Sequence, residues 1–445
     1  MAMSGLEIFK LLPKTNCKEC GHPTCLAFAM ALAQKKVSLD VCPHAGDEAK
    51  EQLAAAAAPP MQTVTFGTGD AACEVGGETV LFRHEEKFYR PTVLAVTLPD
   101  DQDEAALKAR CETIQGFAFE RIGQAMPVEV IAVTNPSGDA SRFAAAAEAA
   151  KATGKAVILV TEDAAAAKAA LEKIGDAAPL LCCATTDTVD AMAAAASEAG
   201  CPVVARAADP ETLADLTEQL NAAGCEDIVL HLDAPDPWSE MAGLYRIRHV
   251  ALKQSFRPLG YPVIAFATEG DPGDQAVRAS SLVCKYAGIV VVDTVEPWAL
   301  LPILTTRQNI YTDPQKPVQV EPKLHAVGEP DASSPVMFTT NFSLTYYTVE
   351  GDVEASRVPA WILCVDTEGT SVLTAYSGDK LSAESVAKAM QDAGVESQVN
   401  HKKLIIPGYV AVMSGKLEEE TGWEILVGPR ESNQIPRYLK EAWKA

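Results

Sequence analysis

From about residue 90 to 310 the chain repeats one pattern. A short run of apolar, often β-branched residues is followed by an alanine-rich stretch with helical spacing. The runs are Thr92–Thr97, Val128–Thr134, Ala156–Thr161, Pro179–Thr185, Pro202–Ala207, Asp227–Asp233, Pro262–Thr268 and Gly288–Asp293. Runs that are apolar throughout suit parallel strands covered on both faces. Eight βα units in this span predict a closed (β/α)8 barrel of the TIM type, with an open doubly wound sheet as the alternative. Residues 61–89 carry Gly and β-type pairs and predict a hairpin-like entry to the barrel.

The flanks read differently. Leu6, Ile8, Phe9, Leu11 and Leu12 predict a short amphipathic helix stopped by Pro13. Leu26–Lys36 and Gly46–Ala58 are helical in pattern, and Pro59–Pro60 ends the second. Beyond residue 315 the pattern predicts strands at Trp361–Asp366, Val372–Tyr376, Lys403–Pro407 and Trp423–Val427. Helices are predicted at Ser382–Asp392, about Val410–Thr421 and from about Asn433. Repeated βα units predict a small doubly wound sheet, with Gly378, Gly408 and Gly428 each following a strand, where ligands approach such sheets. The whole is an α/β chain in three parts: a small module at 1–58, a barrel at 59–314 and a doubly wound domain at 315–445.

Charge narrows the function classes. The 60 acidic residues outnumber the 37 basic ones, for a net charge of −23, which repels phosphate backbones and anionic membranes. No apolar window suits a signal peptide or a membrane helix; the best candidate, near 282–304, is broken by Lys285, Asp293 and Glu296. A cytoplasmic protein is expected.

Four of the twelve cysteines fall in the first 42 residues, in the order Cys17-x2-Cys20-x4-Cys25-x16-Cys42, with Pro43 next. In a cytosolic chain such a group predicts a metal site rather than a disulfide framework. Four thiolates suit either tetrahedral zinc or a [4Fe–4S] cube. Zinc ligands usually come as two close pairs. Here three cysteines share one loop and the fourth follows a helix, which favours the cube, each thiolate capping a different iron. His22 and His44 are expected to face solvent, since the thiolate set is complete. The scattered cysteines, Cys182 and Cys183 among them, read as small buried residues.

Five phrases carry a resemblance: GLEIFKLLPKTNCKECGHPTCLAFAMALAQKK at 5–36, TDPQKPVQVEPKL at 312–324, TTNFSLTYYTVEGDVE at 339–354, DTEGTSVLTAY at 366–376 and TGWEILVGPRE at 421–431. Together they resemble the large (gamma) subunit family of the corrinoid iron–sulfur proteins of the reductive acetyl-CoA pathway, over essentially the whole chain. The resemblance implies an N-terminal [4Fe–4S] domain, a central barrel and a C-terminal corrinoid-binding domain. It implies a heterodimer with a smaller barrel subunit. It also implies a methyl-carrier role: a cob(I)amide takes a methyl group from methyltetrahydrofolate on a separate methyltransferase and passes it to the Ni–Fe–S site of acetyl-CoA synthase/CO dehydrogenase. The cluster, fed by a low-potential electron donor, would return Co(II) to Co(I).

Mapped onto the phrases, corrinoid contacts are expected from Thr340, Tyr346, Thr370, Ser371, Val372, Leu373, Thr374, Tyr376, Gly408, Gly428 and Asn433, with Thr374 nearest the cobalt. No Asp-x-His-x-x-Gly motif is present, and His401 lies in a charged turn. The expectation is a base-off cobalamin-type corrinoid without a protein histidine ligand. Two other functions fit parts of the sequence. One is an Fe–S electron carrier fused to a barrel; the other is a pterin-binding barrel methyltransferase using Asn135, Glu162, Asp233, Glu269 or Asp293 at strand ends. Such residues also cap following helices, and capping is the preferred reading of them. Ala54–Pro60 and Asp313–Pro330 read as linkers that pack into neither neighbour.

Overall fold

A computed structural model describes residues 5–33, 37, 39–46 and 59–443 of the chain. Contacts divide it into two units. One comprises residues up to Phe82, Phe88–Phe117 and Pro127–Ile310; the other comprises Arg83–Lys87, Ala118–Met126 and Tyr311 onward.

In the first unit, helices Gly5–Leu11 and Cys25–Ala33 flank the cysteine loop. The expected continuation to Lys36, and all but the first residue of the Gly46–Ala58 helix, fall outside the described residues, as does most of the Ala54–Pro60 linker. Strands β1 (Thr63–Phe66) and β2 (Cys73–Gly76) pair antiparallel, which is the expected entry hairpin. Eight parallel strands follow: β3 (Val93–Pro99), β6 (Val130–Thr134), β7 (Ala156–Val160), β8 (Leu180–Ala184), β9 (Val203–Ala207), β10 (Ile228–Leu232), β11 (Ile264–Ala267) and β12 (Ile289–Val292). Their order is β10-β9-β8-β7-β6-β3-β12-β11. A parallel bridge from Leu230 to Val263, with the Leu230 N–H donating to Pro262 O at 2.8 Å, joins the two ends. The sheet is therefore a closed barrel, as the eight apolar runs predict, and not an open sheet.

The barrel is a packed core. Ala95, Ala132, Ile158, Cys182, Val204, Val229, Ile264 and Ile289 fill it, and Val64, Phe66 and Val75 of the entry hairpin belong to the same cluster. Cys182 and Cys183 are both buried in the barrel wall, as expected. Asp103, Asp139, Asp163, Asp209, Asp236 and Asp271 cap the helices that follow β3, β6, β7, β9, β10 and β11, each carboxylate accepting from backbone N–H groups. Part of the acidic excess thus sits at helix starts, where the macrodipole favours it.

The second unit holds a five-stranded sheet ordered β13-β15-β14-β16-β17: β13 (Leu324–Val327), β14 (Val336–Thr340), β15 (Ala360–Val365), β16 (Lys403–Ile406) and β17 (Glu424–Val427). All neighbours are parallel except the edge strand β13. Helices Ala383–Asp392 and Ser414–Thr421 cover one face; Ser343–Ser356 and Ile435–Glu441 cover the other. The inserted hairpin β4 (Ala118–Arg121) and β5 (Gln124–Pro127) reaches this unit, where Gly123, at φ +65°, lies under the phenol of Tyr347. A Cβ at Gly123 would collide with that ring.

Three expectations need correction. Val372–Ser377 is a helix, not a strand; with Ala375 its one buried residue, it caps the sheet instead of extending it. Gly378 therefore ends a helix and follows no strand. The segment Asp313–Pro330 is not a connector that packs into neither neighbour. Val320 N–H donates to Asn341 O at 2.9 Å, Ser343 N–H donates to Val318 O at 3.0 Å, and 324–327 is β13.

Candidate functional site

The cysteine loop is shaped by left-handed residues. Lys14, Asn16, Lys18 and Gly21 all have positive φ, so the chain coils tightly between the two helices. Asn16 ties it shut: its N–H donates to Cys25 Sγ at 3.3 Å and its Oδ1 accepts from the Cys25 N–H at 2.8 Å. Cys25 is the first residue of the second helix. Cys42 sits in the turn after Leu39–Val41, its N–H donating to Leu39 O at 2.9 Å. Cys25 and Cys42 are buried with Ile8, Leu12, Phe28 and Ala29, Cys20 packs on that floor, and Cys17 is exposed. All four thiols are free. His44 Nε2 lies 2.9 Å from Glu19 Oε2, and these two with Cys17 present donor atoms within 4.8 Å of one another. Four unpaired thiols over an apolar floor, with a backbone N–H aimed at one sulfur, fit an iron–sulfur cluster.

In the second unit the strand order reverses at β14. Its chain passes through Ser343–Ser356 to β15 on one side, then back past β14 to β16 on the other. Such a switch point opens a crevice at the carboxyl ends of the strands. Here β14 and β16 are in register at Met337 and Ile405 alone. Beyond that pair lies a cavity of about 360 Å³, lined by Thr339, Leu344, Leu373, Pro407, Tyr409 and Gly428 among others. Leu344, Leu373, Tyr409 and Val412 are exposed large apolar side chains of this unit. Thr339 and Thr340 hold buried hydroxyls without a partner among the described residues. The loop after β15 is anchored by Asn341, which is buried between strand and loop.

Of the residues expected at a corrinoid, the cavity brings together Ser371, Val372, Leu373 and Gly428. Thr370 and Thr374 flank it; Thr374 Oγ1 accepts from Ser371 Oγ at 3.0 Å. Gly408 does not line it but shapes its lip, since a Cβ there would stand 2.7 Å from Gly428 O and 2.8 Å from Arg430 N. Thr340, Tyr376 and Asn433 are not lining residues. Tyr346 packs under the sheet, its hydroxyl donating to Glu350 at 2.8 Å and its ring 4.8 Å from His325. Burial and that carboxylate push the Tyr346 phenol far up. Leu344, Thr345, Thr348 and Val349 of the lining are not among the expected residues, because they face the cavity only through the register of the helix Ser343–Ser356. His401 lies at the opposite, amino-terminal end of β16, where Nε2 is 2.9 Å from Ser334 O.

The barrel's carboxyl end is polar. Arg206 Nη2 donates to Asp233 at 2.6 Å, and Arg206 also pairs with Glu162. Arg278 bridges Glu240 and Glu269 at 3.1 and 3.3 Å. Arg110 donates to Asp293 at 2.9 Å, and Asn135 donates to Thr161 at 3.3 Å. The expected helix-capping role of Asn135, Glu162, Asp233, Glu269 and Asp293 is therefore wrong for most of this set: four hold arginines, while a different set of aspartates caps the helices.

Residues 12–44 match an Fe–S cluster family, and residues 63–439 match the family described as CO dehydrogenase/acetyl-CoA synthase delta subunit. The corrinoid/iron–sulfur protein large subunit of Moorella thermoacetica is 45% identical, covering 99% of each chain. The acetyl-CoA decarbonylase/synthase complex subunit gamma of Methanothermobacter thermautotrophicus is 39% identical, again covering 99% of each. A crystal structure of dihydropteroate synthase from Thermus thermophilus aligns with a TM-score of 0.39 at 19% identity, covering 56% of this chain and 100% of that one. Matched along nearly its whole length, the chain belongs to the CO dehydrogenase/acetyl-CoA synthase delta subunit family, whose relatives include corrinoid/iron–sulfur protein large subunits.

Proposed function

We propose that this chain is the large subunit of a corrinoid iron–sulfur methyl carrier, with a cluster module at 1–58, a barrel at 59–314 and a corrinoid module at 315–445. The observation that carries this reading is the crevice between β14 and β16, an apolar-rimmed opening at a switch point in a family whose relatives are named as corrinoid proteins. The corrinoid, when bound, supplies a cobalt that takes up and gives away a methyl group, and a [4Fe–4S] cluster supplies single electrons to restore it. Cys17, Cys20, Cys25 and Cys42 hold the cluster. Ser371–Leu373, Gly428 and the loop at 429–432 hold part of the corrinoid, with Thr370 and Thr374 beside it. A cavity of about 360 Å³ is too small for a whole corrinoid, so the remainder is covered by a smaller partner subunit. The methyl donor is a methyltetrahydrofolate:corrinoid methyltransferase and the acceptor is acetyl-CoA synthase, both meeting the chain in the cytoplasm. Among the described residues no helix is long and apolar enough to cross a membrane.

The corrinoid is held base-off, without a protein nitrogen on cobalt. The position of His401 at the far end of β16 supports this. Cobalt and iron analysis of the chain, with and without its partner subunit, tests the cofactor assignment. Electron paramagnetic resonance of the Co(II) state tests the ligation: hyperfine splitting from an axial nitrogen would overturn it. Zinc in place of iron at the cysteines would end the electron-transfer role.

A further inference from the structure

The barrel contains a second cavity that the carrier role leaves unused. It lies at the carboxyl ends of β7 to β11, has a volume of about 270 Å³, and sits where barrels of this class bind small molecules. Three features make it a built site rather than a gap between loops.

First, His231 lines it from the inward face of β10 and is only 8% exposed, yet its Nδ1 has no hydrogen-bond partner among the described residues. Second, Arg278 is fixed by Glu240 and Glu269 through its two terminal nitrogens, which leaves a buried Nε–H without a partner. Buried polar atoms are seldom left unpaired, and two around one cavity mark where a ligand's polar atoms belong. Third, Phe266 stands beside the imidazole, ring centres 4.7 Å apart, and gives the same cavity a flat apolar wall.

The charge balance selects the ligand. Glu162, Asp233, Glu240 and Glu269 outnumber Arg206 and Arg278, and both arginines are already committed to carboxylates. Burial, with Arg206 and Arg278 nearby, holds the His231 pKa down at about 4, so the ring is neutral at pH 7. An anion would meet net negative charge. A ligand carbonyl would accept from the Arg278 Nε–H, ligand N–H groups would donate to Asp233 or Glu240, and neutral imidazole can serve either way.

We propose that this cavity binds an uncharged, planar heterocycle carrying a ring amide, a carbonyl beside an N–H, with its face toward Phe266. The site is separate from the corrinoid crevice and does not depend on the methyl-carrier role.

Saturation-transfer NMR on the full-length chain tests it, with isocytosine and uracil as probes and benzoate and methyl phosphate as anionic controls. Isocytosine should give a saturable signal, and the controls none. His231→Phe, which keeps a ring against Phe266, and Arg278→Lys, which keeps a cation for the two glutamates, should each weaken binding at least fivefold. Both variants should keep their circular dichroism and their bound corrinoid. No signal from either heterocycle with folded protein would overturn the proposal. So would equal binding by wild type and both variants, or a preference for benzoate or methyl phosphate.

Discussion

The side-chain oxygen of Asn341 accepts hydrogen bonds from the backbone N–H groups of Thr367 and Gly369, at 3.0 and 3.1 Å. Its amide nitrogen donates to Asp366 at 3.0 Å and Gln319 at 3.2 Å. One buried carboxamide thus fixes the loop that leads into Ser371–Thr374. Asn341→Ala would leave buried N–H groups unpaired, at a cost of about 2–3 kcal/mol. The expected outcome is a lower melting temperature and faster corrinoid loss on gel filtration. Unchanged corrinoid retention would show that the loop is not part of the site.

Gly408 tests the lip of the crevice. Its φ is not left-handed, so Ala is refused only by the close approach of Gly428 and Arg430. Gly408→Ala should cost about 1–3 kcal/mol by displacing the 428–430 loop. Equilibrium dialysis against corrinoid should show weaker binding, with the iron content unaltered.

Cys25→Ala separates the two cofactors. The substitution removes a buried sulfur that Asn16 helps to orient. Methyl transfer in a first turnover should survive, whereas recovery from Co(II) by a chemical reductant acting through the cluster should be lost. Stopped-flow absorbance of the corrinoid distinguishes the two steps.

His231 gives the barrel a pH signature. Its folded pKa, about 4, lies below the usual value of 6.5. The unfolded chain therefore binds its proton first, and stability is lost as pH falls from about 6.5 through 4. Between those limits wild type should lose up to about 3 kcal/mol more than His231→Phe, read as the difference in denaturant midpoints. Carboxylates titrate in the same range, but they are common to both proteins and cancel.

Thiol reactivity should follow burial. Desolvation pushes the Cys73 and Cys364 thiols up to about 12 and Cys201 up to about 11. Iodoacetamide at pH 8 should leave these three unlabelled in native protein while modifying exposed Cys17 in metal-free protein. Mass spectrometry of peptides reads the result directly.

The barrel is legible in sequence because its strands are predominantly apolar on both faces, so runs such as Ala156–Val160 stand out without any partner. The C-terminal sheet was only partly legible. Val372–Ser377 carries Val, Thr and Tyr, which favour strands, yet it is helical. The helix Ser343–Ser356 hides in the same way behind Thr345, Tyr346, Tyr347 and Thr348. Of the corrinoid residues expected from resemblance, those lining the cavity lie on Ser371–Leu373 and at Gly428, beside the switch point. Tyr346, on the helix beneath, turns toward Glu350 instead. A phrase identifies a stretch of chain; which of its side chains face a crevice is decided by a helical register that the phrase does not reveal. The arginines at the barrel mouth were invisible for a related reason. Arg206 on β9 meets Asp233 beyond the adjoining β10 and, across β8, Glu162 beyond β7, contacts that exist only once the barrel is folded.

The hairpin at 118–127 carries a consequence for how the protein is made. Its tip, Gly123, belongs under Tyr347, and Arg83 donates to Thr312 O at 2.8 Å. The C-terminal unit is therefore assembled from pieces that a ribosome delivers early, midway and last. The barrel can complete itself while synthesis continues, but the hairpin must wait, its docking face bare, until the helix Ser343–Ser356 emerges. Premature termination between the barrel and that helix would leave that face exposed, and a gene fragment starting at residue 315 would encode a unit missing its own first pieces.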